Sequence, residues 1–178
     1  MGNPVGLCVI FRRNLFGSIL APQARRHCCI NNKMNIQGIC GRCECSLITF
    51  RITDNIKSLS HCHCSQCRKL HGAAFATFVR VDSQKFEILS GSTSIKKYKS
   101  SQDLDRYFCS TCGSSIMCKS AHDDTRIWLS LGLLDGVFDL PDEEHMFFLS
   151  RPVWDDHCYS GDKWDGFPSN WTGYEKGH

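Results

Sequence analysis

Seven of the thirteen cysteines stand in three short clusters: Cys43-x-Cys45, Cys62-x-Cys64-x-x-Cys67 and Cys109-x-x-Cys112. A Cys-x-x-Cys turn puts two sulfurs on one side of a tight loop, within reach of one ion. Gly113, directly after Cys112, suits the positive φ that such turns need. Two pairs, Cys43 with Cys45 and Cys109 with Cys112, make the four thiolates of a closed tetrahedral zinc site. Cys40 is an alternative to either member of the first pair. Cys62, Cys64 and Cys67 supply three thiolates from six residues and leave one direction for water, a substrate thiolate or another side chain. A histidine among His61, His63 and His71 would close this second site instead. A closed site is structural and an open one catalytic, so the pattern reads as two Zn2+ per chain with different tasks.

The spacing also bears on compartment. Short cysteine clusters far apart in a chain of 178 residues fit metal binding in a reducing, cytoplasmic setting better than a disulfide scaffold. Cys8, Cys28, Cys29, Cys40, Cys118 and Cys158 fall outside the clusters and read as small buried hydrophobes or surface thiols.

Charge is divided unevenly along the chain. Residues 1–43 carry six Lys/Arg and no acid, leaving 15 Lys/Arg against 18 Asp/Glu in the remainder. A mildly acidic folded part argues against a nucleic-acid partner. Its one basic run with an aromatic inside, Lys96-Lys97-Tyr98-Lys99, reads as the charged face of an edge strand. No apolar run approaches the roughly 18 residues of a membrane span. Residues 1–35 are set apart as an N-terminal extension, either disordered, an Arg-containing organellar targeting segment or a mis-called start before Met34.

From residue 36 to 178 the patterning is β. Period-2 alternation or β-branched and aromatic enrichment marks strands at 47–52, 56–63, 75–81, 85–89, 95–99, 106–108, 126–133 and 147–149. One short helix is expected over Ser65–His71. The tail beyond is rich in Pro, Gly, Asp and Trp and reads as irregular. The expected class is mostly β, built of small antiparallel sheets whose strand ends carry the cysteines.

Gly41-Arg-Cys-Glu-Cys-Ser46, His61-Cys-His-Cys-Ser-Gln-Cys-Arg68 and Phe108-Cys-Ser-Thr-Cys-Gly113 resemble, in order and spacing, the glutathione-dependent formaldehyde-activating enzyme (GFA) family. That family shares its domain with centromere protein V, and the resemblance covers about residues 36 to 155. It implies a β-tent fold of small sheets stapled by zinc. It assigns Cys43, Cys45, Cys109 and Cys112 to the structural zinc, and Cys62, Cys64 and Cys67 to the catalytic zinc. The implied reaction is that of a carbon–sulfur lyase or synthase: a thiol such as glutathione, as co-substrate, adds to a small aldehyde such as formaldehyde. Ser46 departs from the family, which often has Gly there.

Three thiolates outweigh the charge of one divalent ion, so a basic neighbour is expected to help hold a fourth. Arg68 and Lys69 follow Cys67 but read as a solvated pair. Arg68, Arg80, Arg106 and Arg126 are the candidates by type for gripping glutathione carboxylates. Trp128, Phe148 and Trp154 read as core. The competing function is a non-catalytic zinc module that binds a protein or nucleic-acid partner, for which closed sites suffice.

Overall fold

The computed structural model describes residues 38–169 and 171. The extension proposed for residues 1–35 lies outside them. The fold is mostly β, with strands in two sheets. The smaller sheet is antiparallel and joins β1 (Ile39–Arg42), β2 (Thr49–Ile52) and β5 (Phe86–Ser90) in that order. The larger has eight strands. Its order is β11 (Asp162–Lys163), β10 (Glu143–Met146), β3 (Ser58–Cys62), β4 (Ala76–Asp82), β9 (Arg126–Ser130), β8 (Ser115–Ser120), β7 (Leu104–Cys109) and β6 (Ile95–Lys99). Helix α1 (Ser65–His71) follows β3 directly.

The expectation of small antiparallel sheets is therefore corrected. The larger sheet is mixed, because β10 runs parallel to both β3 and β11. The physical reason lies in the segment after β9. Antiparallel strands can be joined by a tight turn, but parallel ones need a crossover. Residues 131–142 make that crossover, and Leu131, Leu133, Leu134 and Phe138 pack against the core on the way. The strand expected over 126–133 accordingly stops at Ser130, where Leu131–Leu133 turns into a 3-10 segment. The strand expected over 147–149 is also absent. Phe147 takes a left-handed φ of 55° and Phe148–Ser150 forms a 3-10 turn.

The central strands β4 and β9 are buried on both faces, which splits the core in two. Side chains alternate across a strand. Val79 and Val81 of β4, with Ile127 and Leu129 of β9, face the small sheet, where they meet Ile48, Phe50 and Ile52. Phe78 and Trp128 point the other way and pack with Cys62, Cys64, Cys67, Leu104, Cys118 and Met146. One cysteine group thus lies in each half of the core. The basic run Lys96–Lys99 sits on β6, the edge strand, with Lys96, Lys97, Tyr98 and Lys99 exposed and Lys97 paired to Asp105 at 2.9 Å. Among the described residues no helix is long and apolar enough to cross a membrane.

Candidate metal and active site

Cys43 and Cys45 occupy the turn between β1 and β2, Cys109 ends β7, and Cys112 lies in the turn that leads from β7 to β8. The two turns belong to different sheets, and the structure brings them face to face. All four sulfurs lie within 4.8 Å of one another. The Cys43–Cys45 and Cys45–Cys109 separations are 3.5 Å and 3.9 Å. Four sulfurs at about 2.3 Å from a tetrahedral zinc would stand about 3.8 Å apart. A disulfide would need about 2.05 Å, and all four thiols are free.

Local contacts fix the two turns. Gly113 takes a φ of 78° and its N–H donates to the Cys109 carbonyl at 2.9 Å. The Glu44 N–H donates to the Ser114 hydroxyl across the interface at 3.1 Å. The Ile48 N–H donates to the Cys43 sulfur at 3.3 Å. Ser46 has a φ of 61°. A side chain there is strained, which explains why glycine suits the position. Ser46→Gly is therefore expected to raise stability by about 0.5–1 kcal/mol, read as a higher urea midpoint at unchanged slope.

The electrostatics of the quartet suit a cation. The Leu47 backbone favours the Cys45 thiolate, yet burial and the sulfurs of Cys43, Cys112 and Cys109 push this thiol up to about 12. Hydrogen bonds from Ser114 and the backbone pull Cys112 down to about 6. Crowded sulfurs of this kind ionise together only when a positive ion sits among them.

Cys62, Cys64 and Cys67 form the second group, with their sulfurs again within 4.8 Å of one another and all three buried. Cys62 ends β3. Cys64 is the N-cap of α1, and its sulfur accepts from the Cys67 N–H at 3.4 Å. Gly72, with a φ of 59°, ends the helix after two turns. This cap-to-third-residue geometry turns two sulfurs toward the one that β3 delivers. The neighbouring sulfurs of Cys64 and Cys67, together with burial, push the Cys62 thiol well above its ordinary value.

No histidine joins this trio among the described residues. His61 bonds Thr77 at 3.0 Å and Glu143 at 3.1 Å, His63 bonds His145 at 2.9 Å, and His71 bonds Ser115 at 3.4 Å. The basic neighbour is neither Arg68 nor Lys69 but Arg106, which the sequence had offered only as one of four candidates for gripping glutathione carboxylates. It is 5% exposed. Its Nη2 donates to the Cys67 sulfur at 3.4 Å and its Nε to the Ser100 hydroxyl at 3.2 Å. Arg68 instead donates to the His63 carbonyl at 3.2 Å, and Lys69 is exposed. Sequence reasoning could not single out Arg106, because only the β7–β8 pairing carries it under α1.

A cavity of about 20 Å³ adjoins the trio. It is lined by Cys62, Cys67, Arg106, Trp128, Phe167 and Trp171, among others. The Trp171 ring stacks on Trp128 at 5.5 Å and on Phe167 at 4.7 Å. Trp128 is core as expected. Phe148 is only half-buried, beneath the Arg151 guanidinium at 4.6 Å. Trp154 is 68% exposed, which corrects the expectation that it is core: the loop at 151–157 leaves the sheet before reaching it.

Comparison with known proteins places these groups in context. The profile of the family described as glutathione-dependent formaldehyde-activating enzyme matches residues 38–150, the span that holds both cysteine groups. The chain belongs to that family. A Schizosaccharomyces pombe protein named as an uncharacterized lyase is 24% identical over 119 residues, covering 67% of this chain and 82% of its own. A Rhodobacter sphaeroides protein of known crystal structure is 16% identical with a TM-score of 0.48, over 70% of this chain and 98% of that one.

Proposed function

We propose that the chain is a zinc-dependent carbon–sulfur lyase or synthase that joins a thiol, glutathione or a close relative, to a small aldehyde such as formaldehyde. Family membership supports the class, as does the lyase name of the yeast relative. The observation that carries the reading is the convergence of three buried sulfurs beside Arg106, with a cavity on one side and no fourth side-chain ligand among the described residues. In this reading Cys43, Cys45, Cys109 and Cys112 hold the structural zinc that staples the two sheets in a β-tent. Cys62, Cys64 and Cys67 hold the catalytic one.

Zinc at the trio supplies Lewis acidity that lowers the pKa of a thiol brought beside it. The chain's own residues do the rest. The Arg106 guanidinium offsets the surplus negative charge of three thiolates and holds Cys67 in place. Phe78, Trp128 and Met146 keep bulk water from the cavity, so that the addition occurs in a dry site. The thiol sulfur bonds to the carbonyl carbon, the carbonyl π bond opens, and the thiol proton ends on oxygen. The product is a hemithioacetal, S-hydroxymethylglutathione for the pair named. The reverse direction breaks the same carbon–sulfur bond.

One observation favours the alternative of a non-catalytic module. A cavity of about 20 Å³ has room for about one water, so a tripeptide thiol reaches the trio only after Phe167 and Trp171 move aside. The test is the rate at which glutathione and formaldehyde form and exchange the hemithioacetal, followed by NMR with the zinc-loaded full chain. Acceleration over the spontaneous rate that disappears in Cys64→Ser is expected. A wild-type rate equal to the spontaneous one would leave the binding module as the better reading.

A further inference from the structure

We infer that His61, Glu143 and His145 form a third metal site, distinct from both cysteine groups and suited to one divalent transition-metal ion such as zinc. Strand register creates it. β10 lies parallel to β3 with His145 opposite His61, so the two rings share a face. Glu143 precedes His145 by two residues and shares that face too. Cys62, one residue after His61, points the opposite way into the thiolate site.

The geometry fits a two-imidazole, one-carboxylate donor set. The three ligand atoms lie within 4.8 Å of one another. His61 Nε2 is 3.1 Å from Glu143 Oε2, and His145 Nε2 is 3.9 Å from Glu143 Oε1. Nitrogen and oxygen ligands at about 2.0–2.1 Å from a tetrahedral zinc stand about 3.4 Å apart, between those two values. The rings of His61 and His145 are stacked at 4.8 Å.

Both distal nitrogens are occupied, as metal-ligating imidazoles require. His61 Nδ1 meets the Thr77 hydroxyl at 3.0 Å, and His145 Nδ1 meets His63 Nε2 at 2.9 Å. Each bond leaves an Nε2 turned toward Glu143. The second observation is His145 itself. It is fully buried, and its Nε2 has no hydrogen-bond partner among the described residues. The Ser160 backbone also acts on this ring, while Nε2 itself has no partner at hydrogen-bond geometry among the described residues. A simple His61–Glu143 pair accounts for those two residues but leaves a desolvated imidazole nitrogen unmatched, which is costly. A bound cation accounts for all three.

The surroundings fit as well. The rings of Phe75 and Tyr159 lie 4.9 Å from His61 and His145 respectively, and Ser160 donates to Glu143. Glu143, 31% exposed, marks the way in from solvent. Imidazole donors select zinc or a similar first-row ion over calcium or magnesium, which take oxygen ligands. Three protein ligands leave a fourth position for water.

The test compares bound metal in the full chain and in Glu143→Gln and His145→Asn, after loading with zinc and, separately, with cobalt. The wild type is expected to hold about one equivalent more than either variant. In the cobalt form that equivalent should lack the thiolate charge-transfer absorption of the cysteine groups. Thr77→Val should weaken it by about 10–100-fold and keep the stoichiometry. A folded Glu143→Gln with wild-type metal content overturns the site. Should the variants misfold, the wild-type cobalt titration decides: saturation with no equivalent lacking charge transfer rejects it. Cys64→Ser leaves this equivalent in place, so the site and the proposed reaction stand or fall separately.

Discussion

Cys109→Ser is expected to abolish cooperative folding of the chain. Cys109 is fully buried at the end of β7, in the quartet that joins the turn of the small sheet to a turn of the large one. Zinc in small structural sites binds with roughly 10–16 kcal/mol, and a domain's entire net stability is roughly 5–15 kcal/mol. With zinc held in the quartet, as proposed, losing one of four thiolates removes a term as large as the margin. Serine also leaves a hydroxyl where an apolar core surrounds the position. The measurement is thermal unfolding by circular dichroism, with a chelator-treated wild type alongside; both should lose the sharp transition. Cys118→Ala is the control, since Cys118 is buried but outside the quartet. It should cost only about 1–2 kcal/mol. A Cys109→Ser protein that melts within a few degrees of wild type would remove the quartet from any role in holding the sheets together.

The second large effect is expected at the trio, with the opposite balance between fold and function. Cys64→Ser should keep the fold, lose one thiolate-bound metal and lose the proposed activity. Position 64 is the N-cap of α1, where serine is among the preferred residues. The helix start thus survives, and the hydroxyl can still accept from the Cys67 N–H. A metal held as proposed would not survive, because three ligands become two and affinity should fall by more than the roughly 10–100-fold typical of an outer-shell change. Arg106→Met should fall within that smaller range, since it keeps volume but removes the cation on Cys67. Elemental analysis with an unfolding curve separates the outcomes. Full metal content in Cys64→Ser would exclude Cys64 as a ligand.

The cysteine groups were legible in the sequence because short spacing in the chain already brings two or three sulfurs together. Their pairing across 64 residues, as between Cys45 and Cys109, rested on counting half-sites and on family resemblance. Strands β2, β4 and β6 were legible from alternation or β-branched content. β10 was not, because Glu-Glu-His-Met has neither signal; it is a strand because the crossover delivers it beside β3. β8 was missed too, because its apolar Ile-Met-Cys run is only three residues long, flanked by serines and a lysine. The same gap hid Glu143 and His145: their relation to His61 exists only through the parallel register of β10 on β3, with Glu143 82 residues away in the chain. Arg106 illustrates the point from the other side. Its type was suggestive, but its choice over Arg68 depends on which strand passes beneath α1. Trp154 shows the limit of hydrophobicity as a guide, since a large apolar residue in a loop has no sheet face to bury it.

The most direct measurement is the absorption spectrum of the cobalt-loaded full chain before and after glutathione is added. Thiolate-to-cobalt charge transfer reports only sulfur bound to metal. An open three-cysteine site that takes a substrate thiol gives a charge-transfer band that grows on addition of glutathione in the wild type and stays unchanged in Cys64→Ser. A wild-type spectrum that glutathione leaves unaltered, with both cysteine groups loaded, contradicts thiol activation at Cys62, Cys64 and Cys67 and makes the chain a closed metal-binding module.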